Sequence, residues 1–138
     1  MILSIKLKMT DNVTMRIFKT SVFDKFARKN QIDDGMLIEA VFRADQGLID
    51  AELGSNIIKQ RIARKGQGRS GGFRSFIFYR INKNSYFVAG ISKNEQENIT
   101  PKQLTLLKRL AKEYEEKTEQ QIEQEVTLGL LIEIYKEE

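Results

Sequence analysis

Between Lys59 and Arg74 the chain reads KQRIARKGQGRSGGFR, with cations at Lys59, Arg61, Arg64, Lys65, Arg69 and Arg74 around a run of glycines. Backbone amides of a glycine turn and guanidinium groups beside it can together wrap a phosphate. Gly66, Gly68 and Gly71 spell the G-x-G-x-x-G pattern of dinucleotide sites, but the next segment, Phe73 to Tyr79, is a strand sequence. A dinucleotide site needs a helix there, within a βαβ unit. A kinase glycine loop does lie between strands, yet the catalytic-loop and metal-binding motifs that accompany it are missing. The plain alternative is a flexible hairpin loop. Arg69, flanked by Lys65 and Arg74, is what sets this loop apart from an ordinary one.

Other chemistries are narrowed by what the chain lacks. Its 138 residues include no Cys and no His. Disulfides, thiolate ligands and cysteine nucleophiles are excluded, as is the usual general base at neutral pH. From Ser55 to Asn94 there are nine basic residues and no Asp or Glu, although the whole chain carries a net charge of only +4. A metal site would have to be built from carboxylates, which are absent from this block. A serine-nucleophile triad fails because Ser70 has no His to activate it. The remaining chemistry is the kind cations run alone. Attack of an RNA 2′-OH on the adjacent phosphate qualifies, because its main demand is stabilisation of extra negative charge. Phe73, Phe76, Phe78, Tyr79 and Tyr86 stand among the cations and could stack bases, although such residues mostly form core. A solvated basic face is the bland reading of the same charges.

The elements that must position these residues can be read from periodicity. Residues 13–19 predict a strand with Val13, Met15 and Ile17 on one face. Thr20 or Ser21 caps a short helix to about Asn30 that buries Val22, Phe23 and Phe26. Asp33 caps a second helix whose Leu37, Ala40, Val41 and Ala44 form an apolar stripe, with Gly47 as its stop. Ile57 to Lys65 alternates as a strand, displaying Lys59, Arg61, Ala63 and Lys65 on one face. Residues 66–72 turn, Phe73 to Ile81 form the next strand, and Asn82, Lys83 and Asn84 turn into Ser85 to Ile91. Thr100, Pro101 and Gln103 open a helix with a capping box, and Leu104, Leu107, Leu110, Ala111 and Tyr114 are its buried stripe. The acidic and apolar tail, residues 118–138, predicts no single conformation.

The chain is therefore expected to be one α+β domain with an antiparallel-rich four-stranded sheet, two N-terminal helices and a C-terminal helix. Met15 is a second candidate initiator, which would make residues 1–14 an extension or loose arm of a domain spanning 15–117. Residues 2–7 are too short an apolar run for a signal peptide, and no stretch reaches the roughly 20 residues of a membrane span. A cytoplasmic protein is expected. The tail could pack on the domain or on a partner, including a second copy in a homodimer.

Lys59 to Arg74, then Gly90 to Asn98 (GISKNEQEN) and Gly129 to Glu133 (GLLIE), resemble the RelE-like ribosome-dependent ribonuclease toxins, most closely the HigB-like subgroup. The resemblance covers residues 15 to about 138. It implies a toxin of a type II toxin–antitoxin module, an mRNA endoribonuclease acting on the ribosome without metal or cofactor, and neutralised by a cognate helix-turn-helix antitoxin. By the same resemblance Lys59, Arg61, Arg74 and Lys93 are the catalytic set. Lys59 and Lys93 would bind phosphate, and Arg74 would stabilise the transition state. Arg64, Lys65, Arg69, Gly71, Gly72, Asn94 and Glu95 would complete the RNA-binding surface, with Glu95 as one candidate base or a structural ion pair. Two positions depart from the family pattern: Asn94 stands where RelE has arginine, and no stacking tyrosine occurs near Thr100. Relatives of this fold that poison DNA gyrase (ParE-like), or a basic RNA-binding module, are the alternatives.

Overall fold

A computed structural model of the chain describes residues 13–62 and 72–135. Strand β1 (Arg16–Thr20) leads directly into α1 (Ser21–Lys29), followed by α2 (Asp34–Asp45). Two hairpins come next: β2 (Ala51–Gly54) with β3 (Ile57–Ile62), and β4 (Phe73–Ile81) with β5 (Asn84–Ser92). The chain closes with α3 (Pro101–Glu116), α4 (Glu119–Thr127) and β6 (Leu131–Ile134).

The strands form one six-stranded sheet in the order β2-β3-β4-β5-β1-β6. All neighbours are antiparallel except β1 and β5, which run parallel, with Arg16 opposite Asn84 and Lys19 opposite Phe87. The expected four-stranded sheet is thus two strands short. Strand β2 has only four residues, too few for alternation to show; the signal for it lies in Ser55 and Asn56, both at positive φ (53° and 62°), the geometry of a two-residue hairpin turn. Strand β6 was hidden in the apolar tail, where Gly129 (φ 78°) separates it from α4. That helix was not anticipated either. It opens on a capping box in which Thr118 accepts from the Gln121 N–H while the Gln121 side chain accepts from the Thr118 N–H.

Helices cover both faces of the sheet. On one, Phe23 and Ala27 of α1 and Leu37, Ala40, Val41 and Ala44 of α2 pack on Ile17, Ile58, Ile62, Phe73, Ile77 and Phe87. On the other, Ala111 and Tyr114 of α3 and Ile122 of α4 meet Phe18, Ile57, Phe76, Phe78, Tyr86 and Leu131. The stripes expected on α2 and α3 are therefore the packing faces. At the N-terminus two expectations fail: Met15 is 58% and Val22 70% exposed, because the strand begins only at Arg16 and Val22 lies on the outer side of α1. Thr14, expected in a loose arm, is buried; its N–H and hydroxyl both bond the Asp45 carboxylate, and the hydroxyl also contacts Ser85.

Candidate functional site

Alternation along β3 and β4 sorts their side chains between the two cores. Ile58 and Ile62 point to the α1–α2 side and Ile57 to the α3–α4 side, so Lys59 and Arg61 share the face of Ile57. On β4, Phe73 and Ile77 face α1–α2 while Phe76 and Phe78 face α3–α4, which puts Arg74 on the same side as Lys59 and Arg61. Register then brings them together. Arg61 is the direct cross-strand partner of Arg74, and Lys59 is opposite Phe76, diagonal to Arg74. Direct partners in an antiparallel pair have Cβ atoms about 4.5–5.5 Å apart, and like charges in that relation are destabilising.

Among the described residues only Asp50 relieves this repulsion, and only in part. Lys59, Arg61, Arg74 and Lys93 make no ion pair there, and the one hydrogen bond of the Arg74 side chain is a long one, 3.4 Å to the Phe73 carbonyl. The Arg61 Nε is buried without a hydrogen-bond partner among the described residues. Burial and the neighbouring Arg61 push the Arg74 guanidinium below its ordinary pKa, partly opposed by Asp50. A guanidinium stays protonated regardless, so the shift expresses a charge that an anion would stabilise.

The backbone of Arg61 is held from outside the sheet. Because β2 ends opposite Lys59, the outward N–H and carbonyl of Arg61 would lack ladder partners. The N–H instead donates to Asp50 Oδ2 (2.6 Å), and the carbonyl accepts from Arg43 Nη2 (2.5 Å). Gln60, fully buried, ties the same strand to α2: its Nε2 donates to the Ala40 and Leu48 carbonyls (2.9 and 3.2 Å), and its Oε1 accepts from the Asp50 N–H (2.8 Å). These three supporting residues were missed. Gln60 had a legible signal, a polar side chain at an inward position between Ile58 and Ile62; Asp50 and Arg43 had none.

The remaining expected residues are spread over several places. Lys93 and Asn94 are exposed in the turn after β5, at the end of the sheet where Phe73 pairs with Ser92. Gly72 is buried just ahead of β4. Arg64, Lys65, Arg69 and Gly71 lie outside the described residues. Glu95 turns to α1, its carboxylate 3.7 Å from Lys29 Nζ, both side chains 71% exposed. It therefore stands in an exposed ion pair with α1. Base stacking on the aromatics is corrected: Phe73, Phe76, Phe78 and Tyr86 are all at most 3% exposed, and Tyr79 donates its hydroxyl to Asp45 (2.6 Å). Two adjoining cores consume them. No helix among the described residues is long and apolar enough to cross a membrane.

Comparison with known proteins agrees with this architecture. No curated protein matches the chain. A protein-family model described as "RelE toxin of RelE / RelB toxin-antitoxin system" matches residues 15–134, a span that includes both hairpins, the cation row and all four helices. The chain therefore belongs to the RelE toxin family of RelE/RelB toxin–antitoxin systems.

Proposed function

We propose that this toxin is an mRNA endoribonuclease of the HigB-like branch that cuts translated mRNA on the ribosome, in the cytoplasm, without metal, and is neutralised by a cognate helix-turn-helix antitoxin. The observation that carries the reading is the row of Lys59, Arg61 and Arg74 on one face at one end of the sheet, without an ion pair among the described residues. In the proposed reaction the 2′-oxygen attacks the adjacent phosphorus and the 5′-oxygen leaves, giving a 2′,3′-cyclic phosphate and a new 5′-OH end. Arg61 and Arg74 lie against the non-bridging oxygens, whose charge grows in the phosphorane, and their mutual repulsion falls as that charge develops. Lys59 holds the same phosphate from the diagonal position, and Lys93 binds its neighbour along the strand. The 2′-OH gives up its proton to solvent as it attacks, and a lysine ammonium of this group, Lys59 or Lys93, supplies the proton to the leaving 5′-oxygen.

Replacing Arg74 with Ala tests the assignment. Growth arrest on induction and new codon-positioned mRNA ends are expected to disappear while the thermal midpoint is kept. Full toxicity in the folded variant would remove Arg74 from the site. Intact mRNA with DNA damage from the parent chain would replace the ribonuclease reading with gyrase poisoning.

A further inference from the structure

A groove of about 260 Å³ opens between β5 and the first turns of α3. Phe76 and Ile91 form its floor, Ala89 and Leu107 its walls, and the side chains of Gln96 and Gln103 also line it. Both floor residues are tied to the cation row by register: Phe76 is the cross-strand partner of Lys59, and Ile91 that of Arg74. One strand spacing, about 4.8 Å, therefore separates the apolar floor from the cations.

The two glutamines are oriented by their own hydrogen bonds. Gln103 Oε1 accepts from the Thr100 N–H at 2.9 Å, which fixes which end of its amide is the oxygen. Gln96 Nε2 donates to the Asn98 carbonyl at 2.6 Å and to Gln103 Oε1 at 2.8 Å, which fixes the second amide. Left over, and without partners among the described residues, are an acceptor, Gln96 Oε1, and a donor, Gln103 Nε2. A donor and an acceptor on two amides that line an apolar groove suit the edge and face of a heterocyclic base.

We infer that this groove receives the unpaired base of the nucleotide whose phosphate lies on Lys59, Arg61 and Arg74, and that Gln96 and Gln103 read its edge. The inference rests on the reading of those cations as a phosphate site. It supplies what the buried aromatics cannot, a surface for a base, and it makes the loop before α3 a determinant of where the RNA is cut. A protein segment could also fill an apolar groove; the anion site one strand away favours a nucleotide.

The test is a nuclear magnetic resonance titration of the isotope-labelled full chain with inorganic phosphate, ribose 3′-phosphate and each nucleoside 3′-monophosphate. Phosphate and ribose phosphate are expected to move signals of Lys59, Arg61 and Arg74 and none of the groove. Nucleotides should also move Ala89, Ile91 and the Gln103 side-chain amide. Gln96→Ala should weaken the preferred nucleotide by roughly tenfold while leaving ribose phosphate binding unchanged. Ala89→Leu, which narrows the groove without touching either amide, should weaken it similarly. Nucleotides that move the arginine signals but not the groove would overturn the base subsite and leave the phosphate site standing. No response at the arginines to any ligand would overturn both. Groove signals that respond to the antitoxin and to no nucleotide would make this a protein-docking surface and overturn the inference.

Discussion

Two ends of the same sheet treat positive charge in opposite ways. At the β1–β6 end, Arg16 contacts Glu119, Glu123 and Glu133 at 3.1, 2.7 and 2.7 Å, and Lys19 contacts Asp24 and Asp34 at 2.9 and 3.0 Å. Both cations are held above their ordinary pKa by these carboxylates, which outweigh the opposing effect of burial. At the β3–β4 end, Arg61 and Arg74 face each other, and the nearby Asp50 is engaged by backbone and by Arg43. The first end has its electrostatics satisfied within the fold. The second retains an unfavourable arrangement that an external anion would relieve, as expected of a site whose use outweighs its cost in stability.

The contrast can be broken most severely by giving the cation face of the β3–β4 end a carboxylate of its own. Lys59→Glu, diagonal to Arg74, should lower RNA cleavage by about 100-fold or more while raising stability by roughly 0.5 kcal/mol, read by mRNA end mapping and denaturant midpoint. Activity retained at that level would mean the row does not hold phosphate.

A second change acts on the strand that spans both regions. A Cβ at Gly90 would be driven into the Phe26 ring. Gly90→Ala should therefore cost about 1–3 kcal/mol in unfolding, with activity per folded molecule largely kept. A smaller effect on stability but a specific one on activity is expected of Asp50→Ala. Loss of the carboxylate that holds the Arg61 N–H should reduce the cleavage rate about tenfold for roughly 1 kcal/mol of stability.

The paired end responds chiefly to acid. Arg16 holds the Glu133 carboxyl below its ordinary value of 4.5, so this pair adds stability that is complete above that pH and is lost as pH falls through the lower, folded-state value. Glu133→Gln should cost about 1 kcal/mol near neutrality and nothing once the carboxyl is protonated, so urea midpoints of parent and variant converge as pH drops. A constant gap between the two curves would show that the pair contributes by packing alone.

Long periodic elements were the part of this architecture most open to sequence reasoning. The stripe from Leu37 to Ala44, the Thr100 capping box and the alternation in Phe73 to Ile81 each carry a local reason that tertiary structure did not override. Strands β2 and β6 were not legible because each is four residues long and becomes a strand only through its neighbour. The cations of the candidate site could be named from composition, and alternation put Lys59 and Arg61 on one face. Their meeting with Arg74 depends on register, which no local pattern fixes across the 63–71 connection. Asp50 and Arg43 escaped notice for a similar reason: they act on the backbone of a strand, through hydrogen bonds that residue type alone does not announce.

Strand β1 also bears on how the chain comes off a ribosome. Its residues are made before both of its neighbours, residues 84–87 on one side and 131–134 on the other. Three glutamates that neutralise Arg16 also come much later, at 119, 123 and 133. Such long-range pairing is slow to close and exposes an unpaired strand meanwhile. A nascent chain can therefore complete its sheet only when residue 134 has left the exit tunnel, and a partner able to bind β1 earlier would meet it with both edges open.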